Sequence, residues 1–149
     1  MDVRELYQST ILDHNKRPRN YRVPQRANRE ARGNNPLCGD HITVHVELED
    51  GVVKDVGFQG SGCAISRASA SLMTESVKGR RLEDVERLFG RFHDLLTGPP
   101  IGPVDASDLG KLAVFSGVRE YPVRVKCATL AWHTVRAALR GDAEPVKTE

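Results

Sequence analysis

Apolar and polar positions alternate most regularly from His41 to Phe58. Ile42, Val44, Val46 and Leu48 are separated by polar residues, and Val52 to Phe58 resumes the rhythm. Asp50-Gly51 stands between the two runs, a pair suited to the positive φ angles of a two-residue turn, so the pattern predicts a β-hairpin. Gln59-Gly60-Ser61-Gly62 extends it as a third short strand or a bulge leading into Cys63. Elsewhere the period is helical. Val3, Leu6, Tyr7 and Ile11 predict a helix over 2–14 behind an Asp2 cap. Ile65, Ala68, Leu72, Met73 and Val77 predict a second helix after Cys63, with Ser66 as its cap and Gly79 just past its end. Leu82, Val85, Leu88, Phe89 and Phe92 predict a third over 82–92. Leu130, Ala131, Val135, Ala138 and Leu139 predict a last one from about Cys127 to Arg140. Strands followed by helices imply an α+β fold: a small antiparallel three-stranded sheet with helices packed on one face.

Three stretches lack this periodicity. Residues 16–36 form a basic loop with seven Lys or Arg, one Glu and three prolines; residues 93–110 are a Gly/Pro-rich insertion with at most one helical turn near Asp105–Leu109; residues 141–149 are a polar tail. The length of 149 residues suits one domain over 1–149. With 22 basic against 20 acidic residues and 5% aromatics, the chain lacks the profile of a nucleic-acid binder, and Tyr21 is a lone stacking aromatic in the basic loop. No apolar run is long enough for a membrane span. The charged start MDVRELYQST lacks the apolar run of a secretory signal, so a cytoplasmic protein is expected.

The candidate chemistry lies in three cysteines, an odd number without a CxxC. Cys38, Cys63 and Cys127 each fall at a predicted element boundary, and boundary residues can converge at one end of a layered fold. Cys63 and Cys127 are predicted near helix N-termini, where the dipole favours the thiolate, and Arg124 and Lys126 push the same way. Asp40 is the best-placed fourth ligand, because an extended Cys38-Gly39-Asp40 puts thiol and carboxylate on one face. Three sulfurs and one oxygen suit Zn²⁺ and equally an iron–sulfur unit. Spacing alone leaves open a shared metal site and three separately buried cysteines. His41 is expected to face away from Asp40, and His14, His45, His93 and His133 to lie at the surface or core edge. No Cys–His pair is nominated for a cysteine hydrolase.

The strings NPLCGD at 35–40, GSGCAISRASASLMTESVKG at 60–79 and PVRVKC at 122–127, with DHNKRPRN at 13–20, resemble the IscU/SufU family of iron–sulfur cluster assembly proteins, related to the NifU N-terminal domain. The resemblance implies an α+β fold of the NifU type with Cys38, Asp40, Cys63 and Cys127 meeting at one exposed end to hold zinc. It implies a protein that is not itself an enzyme but accepts persulfide sulfur from a pyridoxal-phosphate cysteine desulfurase and serves downstream iron–sulfur assembly proteins. The alternative within the family is a scaffold on which a [2Fe-2S] cluster is built and transferred. Three features point to the SufU branch. Lys126 stands where scaffolds have a His, Tyr121-Pro122-Val123-Arg124 replaces the chaperone segment LPPVK, and the 93–110 insertion resembles the one that marks SufU. On that branch Cys38 is the expected sulfur acceptor, as a loop cysteine beside Gly39, and Arg124 is expected to secure the partner or steady the thiolates. From chemistry alone, a zinc site that only braces the fold is the competing reading.

Overall fold

The computed structural model describes residues 3–98, 109–142 and 145–148. Helix α1 (Val3–Lys16) is followed by strands β1 (Arg29–Asn35), β2 (Asp40–Glu49) and β3 (Val52–Ser61). Helices α2 (Ala64–Val77) and α3 (Leu82–Thr97), a run of 3-10 turns (Gly110–Glu120), helix α4 (Pro122–Arg140) and a two-residue strand β4 (Val146–Lys147) complete the order. The sheet order is β3-β2-β1-β4. β1, β2 and β3 are antiparallel neighbours and β4 runs parallel to β1.

The expected hairpin is β2–β3, and Asp50 and Gly51 both adopt positive φ in its turn (53° and 75°). Along β2, Asp40, Ile42, Val44 and Val46 are buried while His41 is exposed, so one sheet face lies under helices and the other stays polar. The α+β class stands, with a correction: the sheet has four strands, not three. Residues 59–61 are the end of β3 rather than a separate strand. β1 lies inside the expected basic loop, and β4 inside the expected polar tail. β1 carries no apolar alternation because its core-facing positions are Ala31, Gly33 and Asn35. A Cβ on Gly33 would collide with Thr134 Oγ1 and stand 3.0 Å from Leu130 Cδ1, so the missing side chain is what lets α4 press on the sheet.

Helix α4 is the central beam, buried from Cys127 to Trp132 and again at Thr134, Val135, Ala137 and Ala138. Trp132 stacks on Phe92 of α3 at 4.8 Å, Phe92 meets Phe115 edge-on at 5.8 Å, and Phe115 meets Tyr7 of α1 at 6.2 Å. This aromatic chain ties α1, α3, the 3-10 run and α4 together. The 3-10 run buries Leu112, Val114, Phe115 and Val118, a segment to which the sequence pattern assigned no element.

Helix limits also differ from expectation. α3 runs five residues further, to Thr97, and α4 begins five residues earlier than Cys127, with Pro122 in its first turn, where a missing N–H costs nothing. α2 is capped by Cys63 rather than Ser66, which is buried. The Asp2 cap and most of the 93–110 insertion, including 105–108, lie outside the described residues.

His14, near the end of α1, is buried with its Nδ1 2.7 Å from Ser71 Oγ. Burial, then the charge of Arg19, hold its pKa below the ordinary 6.5. A histidine lowered on folding contributes stability that is complete above 6.5 and is lost as pH falls below it through the folded value. Urea unfolding from about pH 7.5 to about pH 5.5 is expected to show a steeper fall in stability for the native chain than for His14→Gln. Parallel slopes would contradict this.

Candidate metal and sulfur site

The site forms where the β1–β2 connection, the exit of β3 and helix α4 meet. Asn35 and Asp40 are a register pair, so residues 36–39 make a four-residue turn between them. The Cys38 N–H donates to the Asn35 carbonyl at 3.2 Å, and Gly39 has φ +69°, which lets the chain re-enter β2 at Asp40. Cys38 and Asp40 are therefore brought together by a turn, not by the extended segment expected from the sequence. The Cys38 side chain is half-buried, whereas Asp40, first in the core-facing row of β2, is fully buried.

Asp40 organises its surroundings. Its Oδ1 accepts the Cys63 backbone N–H at 2.8 Å, and its Oδ2 accepts from Asn35 Nδ2 at 3.2 Å and lies 3.9 Å from Cys63 Sγ. Gly62 makes this possible, since a Cβ there would stand 2.5 Å from Asp40 Oδ1. Cys63 is the N-cap of α2 and its sulfur accepts the Ser66 N–H at 3.4 Å. From α4, Cys127 is 2% exposed; its Sγ donates to Cys38 Sγ at 3.1 Å and accepts from Asn35 Nδ2 at 3.4 Å. One ligand atom each from Cys38, Asp40 and Cys127 lies within 4.8 Å of the other two, and Cys63 adjoins this trio through Asp40.

The Cys63 thiol is lowered to about 7. A hydrogen bond from Cys127 is the main cause, and the N–H groups of Ser66 and Ile65 at the start of α2 add to it, against burial and the charge of Asp40. The same shared proton, followed by burial, pushes the Cys127 thiol up. The helix-dipole argument thus holds for Cys63 and not for Cys127, which sits in the second turn of α4, where backbone N–H groups are bonded within the helix.

The four sequence-nominated ligands converge, and the two cations do not join them. Arg124 is exposed with its guanidinium 4.6 Å over the Tyr121 ring. Lys126 lines a cleft of about 450 Å³ with His93, Thr129, His133 and Thr148. Among the described residues neither is hydrogen-bonded to a thiol. His41 is exposed and bonds Asn34 Oδ1 at 2.7 Å, on the face opposite Asp40 as expected. Asn35 escaped the sequence reading. It is fully buried, its amide bridges Asp40 and Cys127, and its Oδ1 has no partner. Its only signal was its place at the head of NPLCGD.

With this fold and donor set in view, the chain belongs to the family of the NifU-like N terminal domain, whose model matches residues 6–139. Among its relatives, it is 41% identical over 127 residues to the zinc-dependent sulfurtransferase SufU of Bacillus subtilis (strain 168), covering 85% of this chain and 84% of that protein. It is 42% identical over 113 residues to the iron–sulfur cluster assembly scaffold protein IscU of Thermotoga maritima, covering 76% and 78%. FiSufU from Fervidobacterium islandicum AW-1 superposes with TM-score 0.81 at 30% identity over 93% of this chain and 99% of that one. The N-terminal NifU-like protein of Brucella abortus shares the fold, with TM-score 0.80 at 23% identity over 93% and 95%. No helix among the described residues is long and apolar enough to cross a membrane.

Proposed function

We propose that this chain is a sulfur carrier of iron–sulfur cluster assembly: Cys38 takes a sulfur atom from the persulfide of a cysteine desulfurase, and Cys38, Asp40, Cys63 and Cys127 hold zinc at rest. The observation that carries the proposal is the convergence of Cys38, Asp40 and Cys127 from a turn, a strand and a helix. The donors fit the metal: three thiols and a carboxylate match its preference, and Asn35 supports two of them from behind. Bound zinc would keep the thiols deprotonated and shielded until a partner docks.

The protein's own residues divide the labour. Cys63 is committed to the α2 cap and Cys127 is buried in α4, so Cys38, half-buried on a turn beside Gly39, is the thiol free to swing out. Its thiolate attacks the outer sulfur of the partner's cysteine persulfide; the new S–S bond forms at Cys38 Sγ as the old one breaks, and the partner's cysteine leaves as a thiolate. No net oxidation occurs. Leu37, next to Cys38, and Tyr121 and Val123, at the start of the helix that carries Cys127, are each about half exposed or more and offer apolar surface to the desulfurase, with Arg124 over Tyr121 adding a cation. The chain turns over only with its donor, so sulfurtransferase activity belongs to the pair. The reading places this work in the cytoplasm, where thiols stay reduced.

A scaffold reading is supported by the identity to the Thermotoga maritima IscU; there a [2Fe-2S] cluster would be cargo assembled on the same donors. Desulfurase assays with a thiol reductant decide between them. Tightly held zinc with sulfide release raised at least about 10-fold by this protein is the expected result. No stimulation, with transferable iron and acid-labile sulfide instead, would contradict the carrier reading.

A further inference from the structure

Cys38 Sγ and Cys127 Sγ lie 3.1 Å apart in the site. They occupy opposite sides of one boundary: Cys127 is 2% exposed inside α4, while Cys38 stands half-buried on the 36–39 turn. A Cys38 that has taken up an extra sulfur and returned to this turn presents its inner sulfur to Cys127. Cys127 then faces the inner sulfur, at the 3–3.5 Å separation typical of reacting atoms about to bond.

We propose that Cys127 is a resolving thiol: it attacks Cys38 Sγ of the loaded protein and expels the outer sulfur as hydrosulfide. This rests on the reading of Cys38 as acceptor. The step balances without an outside electron source. A bond forms between Cys127 Sγ and Cys38 Sγ, and the bond from Cys38 Sγ to the outer sulfur breaks. The outer sulfur leaves with the electron pair and takes up a proton from solvent, so it is reduced to HS⁻ while the two cysteines are oxidised to a disulfide and leave the metal-ligand set. A dithiol reductant of the thioredoxin class reopens that disulfide and resets both thiols. Release of free sulfide thus becomes a property of this chain rather than of an external thiol attacking the persulfide. Cys63 is the poorer candidate, since its sulfur accepts the Ser66 N–H as the cap of α2 and it falls outside the trio of Cys38, Asp40 and Cys127 whose ligand atoms lie within 4.8 Å of one another.

The test is a single turnover without reductant. Protein as purified is mixed with a cysteine desulfurase and one equivalent of L-cysteine, and sulfide release is followed while quenched, alkylated samples are mapped by mass spectrometry. The native chain is expected to release about one sulfide per loaded Cys38 and to yield a Cys38–Cys127 linked peptide, about 2 Da lighter than the reduced pair. Cys127→Ser is expected to retain the extra sulfur, about 32 Da, on Cys38 and to release sulfide at least about 10-fold more slowly. Native-chain peptide mapping does not depend on the folding of that variant, and Cys127→Ala provides a second truncation. A long-lived extra sulfur on Cys38 of the native chain, decaying no faster than in Cys127→Ser, would overturn the inference and leave Cys38 as acceptor. A Cys38–Cys63 link would overturn it equally. Absence of added sulfur on Cys38 in every variant, with no Cys38–Cys127 link in the native chain, would overturn the acceptor reading itself.

Discussion

Cys38→Ser is expected to reduce stimulation of a cysteine desulfurase to the level seen without this protein, a loss of at least about 10-fold in sulfide release, while leaving the fold in place. A hydroxyl is not ionised at neutral pH and forms no bond to sulfane sulfur, so the acceptor is removed outright. The side chain is half-buried on a turn whose backbone bond, Cys38 N–H to Asn35 carbonyl, survives the change, and such a site tolerates an isosteric swap at below about 1 kcal/mol. Cys63→Ser makes the comparison informative. Serine is a good N-cap and keeps the α2 start, so that variant loses a ligand but keeps the acceptor. Sulfide release and thermal unfolding, measured on both, check the assignment; undiminished stimulation by Cys38→Ser would sink it.

Asp40→Ala is expected to lower metal affinity by roughly 100-fold and to cost about 1–3 kcal/mol of stability. The carboxylate is fully buried and accepts from both the Cys63 N–H at 2.8 Å and Asn35 Nδ2 at 3.2 Å. Alanine leaves both donors buried without this acceptor and frees the α2 cap to shift. Asp40→Asn separates the effects, because it keeps an oxygen for the Cys63 N–H while losing the charge. Chelator competition and urea unfolding on the two variants are the measurements. If Asn and Ala weaken the metal equally while only Ala loses stability, the charge serves the ion and the oxygen serves the fold. Unchanged affinity in both would remove Asp40 from the ligand set.

What the sequence made legible follows the strength of the local signals. The β2–β3 hairpin was readable because β2 alternates buried residues with less buried ones and Asp50-Gly51 can take positive φ with little strain. α2 and α3 were readable from apolar spacing, apart from their exact ends. β1 was not, because its buried positions hold small or polar residues under α4, and β4 is only two residues held by pairing to β1. The start of α4 was hidden by Pro122-Val123-Arg124-Val125, which reads locally as an extended stretch until packing makes Pro122 a first-turn residue. At the site, the cysteines and Asp40 stood out by residue type. Asn35 did not, since an asparagine before a turn has many ordinary uses and only burial between Asp40 and Cys127 distinguishes this one. The same burial argument corrects Cys127, whose elevated thiol reflects the shared proton with Cys63 rather than a helix N-terminus.

X-ray absorption at the zinc edge of the protein as purified probes the gathering of these four side chains most directly. One zinc per chain is expected, ringed by three sulfurs at about 2.3 Å and one oxygen at about 2.0 Å, with a sulfur lost in Cys38→Ser and the oxygen lost or replaced in Asp40→Ala. A zinc shell of nitrogen and oxygen alone, or one unchanged in both variants, would contradict the account.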